Sequence, residues 1–217
     1  MGNAAYYDDN YRALLPADKD AAILDLGCGQ GDFSRYLSGL GYRNVTAVDR
    51  DPQAIAALND ASGVTARTAE VSAATVELTE RGWNLLVVKQ MVYYFDRREA
   101  PALISALRDA LAPDGRLIVE IFNGAMLSSR FTELKDPGIV TAYTDLGLRR
   151  LLEQSGLIVE SVTGAKLRRN GVRGAAYGLA QSLWFKLYRL MLILERGRDD
   201  ELPRTMAKTV IAVARKR

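Results

Sequence analysis

The chain has 217 residues, of which 48% are hydrophobic and 25% are charged, values typical of a folded globular protein with one sizeable core. The formal charge of +3 is too small to indicate nucleic-acid binding, and the absence of histidine removes the commonest general base and transition-metal ligand. The single cysteine, Cys28, excludes an intrachain disulfide and predicts a cytoplasmic protein, and residues 1–10 lack the apolar run of a secretory signal peptide.

The first segment, residues 1–20, is rich in aromatic side chains. Tyr7 and Tyr11 are predicted to belong to a lid that folds over a ligand and excludes water. The alternative is an ordinary capping helix packed on the sheet. Residues 21–217 are predicted to form one domain, with a helical insertion at about 164–206.

Short apolar runs alternate with helical patterns along most of the domain, as in repeated βαβ units. Strands are predicted at residues 21–26, 44–48, 64–68, 83–88, 116–122, 157–162 and 209–214, and helices at 32–40, 52–57, 73–80, 99–111 and 144–154. The pattern predicts an α/β fold with a Rossmann-like, doubly wound, mostly parallel sheet of seven strands, of which the last is antiparallel. Such a sheet binds its ligand at the carboxyl ends of the strands.

Three alternating glycines follow the first strand in the run Asp25-Leu-Gly-Cys-Gly-Gln-Gly31. Glycine permits a sharp turn and a close approach of a ligand, and the next helix presents free N–H groups. In a dinucleotide-binding loop the third glycine would stand at Asp32, whose carboxylate would repel a pyrophosphate. Asp25 likewise favours a ligand with a cationic sulfonium or amino group. An NAD or nucleotide-sugar site is the alternative.

Asp49 follows the second strand. A carboxylate at this position accepts hydrogen bonds from both ribose hydroxyls of an adenosine. The alternative is that Asp49 caps the next helix, but Asp51 suits that position better because Pro52 follows it.

The glycine run and Val48-Asp49, with the turn into the fifth strand at residues 111–119, resemble class I S-adenosylmethionine-dependent methyltransferases over residues 21–162. The resemblance implies S-adenosylmethionine as cofactor and S-adenosylhomocysteine as product. It places the methionine part at the glycine loop, the ribose at Asp49 and the adenine face at Arg50. Glu70, whose alternative is a plain surface residue, matches an adenine contact. Together with the tyrosines of the lid and with Asp25, the predicted cofactor-binding residues are Tyr7, Tyr11, Asp25, Gly27, Cys28, Gly29, Gly31, Asp49, Arg50, Glu70, Val71, Lys89 and Gln90.

A sulfonium methyl group is a strong electrophile, so the protein must align an acceptor and, for a hydroxyl, accept its proton. Without histidine, the candidate catalytic residues are Lys89, Glu120 and Tyr143; Lys89 has the alternative of a purely electrostatic role. Asp136 is a further candidate for this task; one of Tyr93 and Tyr94 is a candidate to face the acceptor, and Asn123 precedes a loop that is predicted to form its wall. No metal site is predicted, because no carboxylates cluster with ligand spacing. The Asn/Asp-Pro-Pro-Tyr/Phe motif of base-methylating enzymes is missing, so nucleic acid is not expected as a partner.

The long segment between the last two strands contains a strongly apolar stretch, residues 175–194, with a narrow stripe formed by Gln181, Ser182, Lys186 and Arg189. Lys186 and Arg189 disfavour a membrane-spanning helix. Three arrangements remain: burial against the sheet, a homodimer interface, or a position at a membrane surface.

The order of residues 120–125, 143–144 and 194–197 also resembles bacterial methyltransferases of cell-surface polysaccharide assembly. That resemblance implies a glycan acceptor, with a sugar hydroxyl on a lipid-linked polysaccharide, and a cytoplasmic enzyme peripheral to the inner face of the membrane. The alternatives are a small-molecule acceptor and a non-catalytic, cofactor-binding partner subunit.

Overall fold

Seven strands within the described residues form one sheet. The computed structural model describes residues 4–58, 63–73, 82–168, 171–197 and 202–217. The strands are β1 (Ile23–Leu26), β2 (Val45–Asp49), β3 (Val64–Thr68), β4 (Trp83–Lys89), β5 (Leu111–Phe122), β6 (Leu157–Gly164) and β7 (Thr209–Lys216). Their order is β3-β2-β1-β4-β5-β7-β6, and β7 is antiparallel to both of its neighbours. The predicted fold class is confirmed.

The helices flank this sheet and mostly follow the predicted alternation. They are α1 (Ala4–Asn10), α2 (Asp32–Gly39), α3 (Pro52–Ala56), α4 (Glu99–Ala110), α5 (Ser129–Lys135), α6 (Asp145–Gln154) and α7 (Gly171–Arg196), with 3₁₀ turns at Arg12–Leu14 and Val92–Tyr94. The predicted helix at 73–80 lies, apart from its first residue, outside the described residues. Sequence periodicity did not predict α5, a two-turn helix without a buried residue.

Side-chain caps begin two helices where the sequence indicated them. Asp51 accepts a hydrogen bond from the N–H of Gln53 at 2.9 Å at the start of α3. Thr144 accepts one from the N–H of Gly147 at 3.0 Å at the start of α6. Each cap satisfies one of the backbone donors that a helix leaves unpaired at its first turn.

The fifth strand begins earlier than predicted. Trp83 pairs with Leu111 and Leu85 with Arg116, so the residues between Leu111 and Arg116 form an irregularity within the strand. The Pro-Asp-Gly signal at residues 113–115 therefore marks a bulge, because the chain resumes its pairing with the same neighbour after it.

The two faces of the sheet are both covered, as a parallel sheet requires. Ile23 of β1 packs in a cluster with the side chains of α1 and α2, whereas Leu24 packs in a cluster with those of α4 and α6. This alternation follows the two-residue period of a strand. Because both faces are covered, side chains can meet a ligand at the edge formed by the carboxyl ends of β1, β2, β4 and β5.

The long helix α7 is the exception to this packing. Over its whole length, Gly171–Arg196, Gly178 alone is buried. The interpretation that residues 175–194 are buried against their own sheet is therefore wrong. Among the described residues, no helix has the length and apolar character needed to cross a membrane.

Candidate active site

The glycine loop turns from β1 into α2 through left-handed backbone conformations. Gly27, Gly29 and Gly31 have φ values of 72°, 52° and 74°, which residues with a side chain rarely adopt. A Cβ on Gly27 would lie 2.6 Å from the sulfur of Met91, and one on Gly31 would lie 2.2 Å from the side chain of Leu58. A Cβ on Gly29 would meet nothing within 4 Å. Packing thus explains two of the glycines, and open space lies beside the third.

The carboxylate of Asp49 lies against this loop. It accepts hydrogen bonds from the N–H of Gly29 at 2.7 Å and from the N–H of Asp51 at 3.0 Å. Asp49 is half-buried, and a carboxylate has about four acceptor positions, so it can still accept hydrogen bonds from a ligand. Asp51 is the cap of α3, as predicted, so Asp49 is not needed for that role. The ribose contact stays a prediction.

A second carboxylate is buried below the loop. Asp25 is 1% exposed; its Oδ2 accepts a hydrogen bond from the hydroxyl of Ser34 at 2.6 Å, and its Oδ1 is buried without a partner within the described structure. Burial raises the pKa of Asp25, and the nearby ammonium of Lys89 opposes that rise. An orphaned buried carboxylate oxygen beside the loop is a feature that a cationic ligand group would satisfy.

Lys89 ends β4 beside Asp25. Its Nζ donates to the hydroxyl of Tyr7 at 3.1 Å and lies 4.9 Å from the centre of the Phe33 ring. Burial lowers the pKa of Lys89, but the charge of Asp25 and the contacts of Tyr7 outweigh it, so the pKa is raised overall. The net result is therefore not the depressed pKa that a lysine acting as a base at this position would require. Lys89 remains an ammonium, which fits its electrostatic role and not that of a base.

Glu120 joins the N-terminal helix to the ends of β4 and β5. Its Oε2 accepts hydrogen bonds from the hydroxyls of Tyr6, at 2.7 Å, and Tyr11, and its Oε1 accepts one from the side-chain amide of Gln90 at 2.9 Å. Burial and the charge of Glu120 raise the pKa of both tyrosines. With three donors and only 4% of its surface exposed, Glu120 is bound as a positioning group. One acceptor position of Oε1 remains, and the role of Glu120 as a base stays a prediction.

Both the backbone and the side chain of Gln90 form hydrogen bonds to Glu120 at this junction. It is the one residue other than glycine with a positive φ, 53°, among the described residues, and its N–H donates to the carbonyl of Glu120 at 2.7 Å. Strained backbone of this kind concentrates at functional sites. The network of Gln90, Glu120 and the two tyrosines escaped sequence reasoning, because the partners are separated by up to 114 residues.

The N-terminal helix lies beside the glycine loop. The ring of Tyr7 is 5.1 Å from that of Phe33, and Tyr11 is fully buried against the same phenylalanine at 5.0 Å. Arg168 binds Asp9 at 2.6 Å and so ties α1 to the segment that leads into α7. In this conformation the ring of Tyr11 cannot contact a ligand, since none of its surface is exposed. The lid stays a prediction.

The predicted adenine contacts lie where β2 and β3 end. Arg50 and Glu70 are exposed, and Val71 is half-buried against the core. The N–H of Ala69 donates to the carbonyl of Asp49 at 2.9 Å, which joins the two strand ends. Cys28 lies within the loop, and burial raises the pKa of its thiol to about 12, so it is a neutral wall residue.

The side chains expected around an acceptor divide into structural and accessible ones. Asn123 is buried, and its amide donates to the carbonyls of Thr205 and Ala207 at 3.0 and 2.9 Å. Tyr143 is half-exposed, and burial raises its pKa. Tyr94 is exposed and donates to Asp136 at 2.7 Å. Tyr93, by contrast, is buried against Phe122. Asn123 is therefore a structural residue.

In the parts of the chain for which coordinates are described, no group of three or more potential metal-binding side chains occurs.

Comparison with known proteins gives one family match. The profile of a family described as "Methyltransferase domain" matches residues 3–162. TehB of Haemophilus influenzae, described as a "probable S-adenosyl-L-methionine-dependent methyltransferase", is 30% identical over 92 residues, 40% of this chain and 31% of that protein. The chain thus matches under one-third of that relative's length. The malonyl-[acyl-carrier protein] O-methyltransferase of Pectobacterium atrosepticum is 50% identical over 44 residues, 20% of this chain and 17% of that protein.

Solved structures share the fold. An S-adenosylmethionine-dependent methyltransferase from Archaeoglobus fulgidus superposes with a TM-score of 0.67 at 18% identity, over 98% of this chain and 92% of that chain. The superposition agrees with the sheet order described above.

Proposed function

The chain belongs to the methyltransferase domain family, with S-adenosylmethionine as its cofactor, and on that premise we propose that it methylates a sugar hydroxyl of a lipid-linked glycan. The observation that carries the methyltransferase part is the open space beside Gly29, bordered by Asp49. A loop without side chains next to a carboxylate fits the adenosyl and methionine parts of the cofactor.

The residues present fit this cofactor. Asp49 would hold the ribose, the loop from Gly27 to Gly29 the methionine chain, and the orphaned oxygen of Asp25 the cationic side of the ligand. When bound, S-adenosylmethionine supplies an electrophilic methyl group, so the protein needs only to orient the acceptor and accept its proton. Arg50, Glu70 and Val71 stay proposed adenine contacts.

Among the candidate groups, we propose Asp136 as the one that accepts the proton of a hydroxyl. Lys89 is cationic, Glu120 already accepts three hydrogen bonds, and the pKa of Tyr143 is raised. Asp136 lies at the surface with a single side-chain donor, Tyr94. A carboxylate with free lone pairs next to a phenol can hold a sugar hydroxyl and accept its proton.

The glycan acceptor is supported by the surroundings of the site. The loop after β5 borders the strand ends, and the carbonyl of Ala125 in this loop accepts a hydrogen bond from Tyr188 of α7 at 3.1 Å. The exposed apolar helix therefore contacts the wall of the site. A lipid-linked acceptor presents its sugar close to such an apolar surface, and we place the enzyme at the cytoplasmic face of a membrane.

The test begins with calorimetry of the full chain. We expect S-adenosylmethionine to bind with a micromolar-range Kd and NAD not to bind; the reverse would refute the cofactor site. Methyl transfer is then measured by mass spectrometry on lipid-linked oligosaccharides, the same glycans without lipid, and small phenols and acids. Asp136→Asn should lower kcat and leave the cofactor Kd unchanged, with Glu133→Gln as the matched control. Methyl transfer only to the small compounds would favour a metabolite methyltransferase. Cofactor binding without any methylated product would favour a non-catalytic partner subunit.

A further inference from the structure

The long helix α7 touches the rest of the chain along one side. At about 100° per residue, the partly buried Gln181, Phe185, Tyr188 and Leu192 share a side with the buried Gly178. Tyr188 makes the contact with the loop after β5. The other side of the helix is therefore directed away from the sheet.

That outer side is predominantly apolar, with Arg173 in the first turn of the helix as an exposed charged side chain within it. Eight large side chains lie within an arc of about 140°, and each exposes between 47% and 87% of its surface. We call this set the apolar face of α7; it comprises Val172, Leu179, Leu183, Trp184, Leu187, Leu190, Met191 and Leu194. An exposed apolar surface of this extent marks an interaction site in a folded protein.

A cationic groove runs along the flank of the same helix. A cavity of about 370 Å³ lies between α7 and the segment before β7, and Lys186, Arg189 and Arg204 line it. Among the residues that the structure describes, no carboxylate lines this groove and none of the three cations forms an ion pair. The sequence of α7 carries one acidic residue, Glu195. Within the described residues, the groove thus concentrates positive charge beside the apolar face.

The combination favours a lipid surface over a second copy of the chain. A seam between two helices needs a narrow apolar stripe flanked by charges that pair with the partner. Here the apolar face is wide, and the charged side chains that line the groove beside it are all cationic. A helix in the interfacial plane has a broad Leu- and Trp-rich side, with cations at the level of anionic headgroups.

We propose that α7 lies in the interface of an anionic membrane, with its apolar face among the acyl chains and Lys186, Arg189 and Arg204 at the phosphate groups. This position holds the loop after β5 next to the bilayer, where a lipid-linked sugar is presented. Its link to the acceptor rests on the proposed function; membrane binding itself requires neither cofactor nor acceptor.

Flotation of the full-length protein with lipid vesicles tests the proposal. We expect flotation with phosphatidylcholine vesicles that contain phosphatidylglycerol, and roughly tenfold less with phosphatidylcholine alone or at high salt. Leu183→Ser/Leu187→Ser/Leu190→Ser should weaken vesicle binding by roughly tenfold or more. Lys186→Gln/Arg189→Gln should weaken it by roughly tenfold, whereas Arg67→Gln/Arg98→Gln, which removes the same charge from exposed positions elsewhere, should not.

Circular dichroism and the cofactor Kd show that each variant is folded, and these readouts also separate the two proposals. Normal cofactor binding by a protein that never floats would overturn the membrane proposal alone. Equal flotation with neutral vesicles would refute the headgroup contact. A dimer in light scattering that the leucine variant converts to monomer, without vesicle binding by either, would assign the apolar face to a second copy.

Discussion

Replacement of Gly29 by alanine should separate cofactor binding from folding. Gly29 has a φ of 52°, and a Cβ built on it meets no atom of the protein within 4 Å. The fold therefore has space for the methyl group. The same space is where the proposed cofactor approaches the loop, so Gly29→Ala should lose affinity for S-adenosylmethionine while remaining folded.

The two effects differ in size. A left-handed conformation costs a residue with a side chain about 1–2 kcal/mol, and the stiffer unfolded chain of alanine offsets about 0.4–1 kcal/mol of this. We expect the free energy of unfolding to fall by about 1 kcal/mol. A methyl group forced into a filled contact costs about 1–3 kcal/mol, which raises the cofactor Kd by roughly tenfold to a hundredfold.

Gly41→Ala is the matched control. Gly41 has a φ of 84°, and nothing lies within 4 Å of its Cβ position. It follows the carboxyl end of α2, whereas the glycine loop precedes the amino end of that helix. It should show the same loss of stability in urea unfolding and no change in the Kd measured by calorimetry. If Gly29→Ala bound the cofactor as tightly as the unmodified chain, the ligand would not occupy this space.

Three further predictions concern charged and nucleophilic side chains. Asp49→Asn should raise the calorimetric Kd for S-adenosylmethionine by roughly tenfold or more, because hydrogen bonds to a charged acceptor are the stronger ones; Asp51→Asn, at the helix cap, should not. Lys89→Met should lower the free energy of unfolding by about 3 kcal/mol, because it leaves the Asp25 carboxylate buried without a cation, and Lys89→Met/Asp25→Asn should recover part of it. Since the folded pKa of Lys89 is raised, its contribution is complete below about pH 10 and is lost only as the pH rises through that folded pKa; a loss that changed between pH 7 and 9 in urea unfolding would contradict this. Finally, a thiol pKa of about 12 means that iodoacetamide should alkylate Cys28 at pH 8 on the order of 1,000 times more slowly than free cysteine, and intact-mass analysis showing rapid alkylation would contradict the burial.

The half of the site that is local in sequence could be predicted. Gly27, Gly29 and Gly31 lie on one turn, and Asp49 lies at the end of the neighbouring strand. Spacing alone fixes such positions, because adjacent parallel strands end at the same edge of the sheet. The seven strands and the α/β fold class could be predicted as well, because each apolar run is local in the sequence.

The other half depends on partners that no spacing reveals. Whether Lys89 is neutral or charged follows from Asp25, which is 64 positions earlier in the chain but adjacent in the fold. The role of Glu120 follows from Tyr6 of α1 and from Tyr11, which comes directly after that helix. The exposure of α7 could not be predicted either, since an apolar helix has the same composition whether a sheet, a second copy or a lipid covers it.

The position of β7 between β5 and β6 has a consequence for synthesis of the protein. Among the described strands, β6 pairs with β7 alone, so residues 157–164 cannot join the sheet until the strand at 209–216 has left the ribosome. During that interval the apolar side chains of β6 and the long helix are exposed together on the nascent chain. This interval is when chaperones or an early encounter with lipid would matter most for the yield of folded protein.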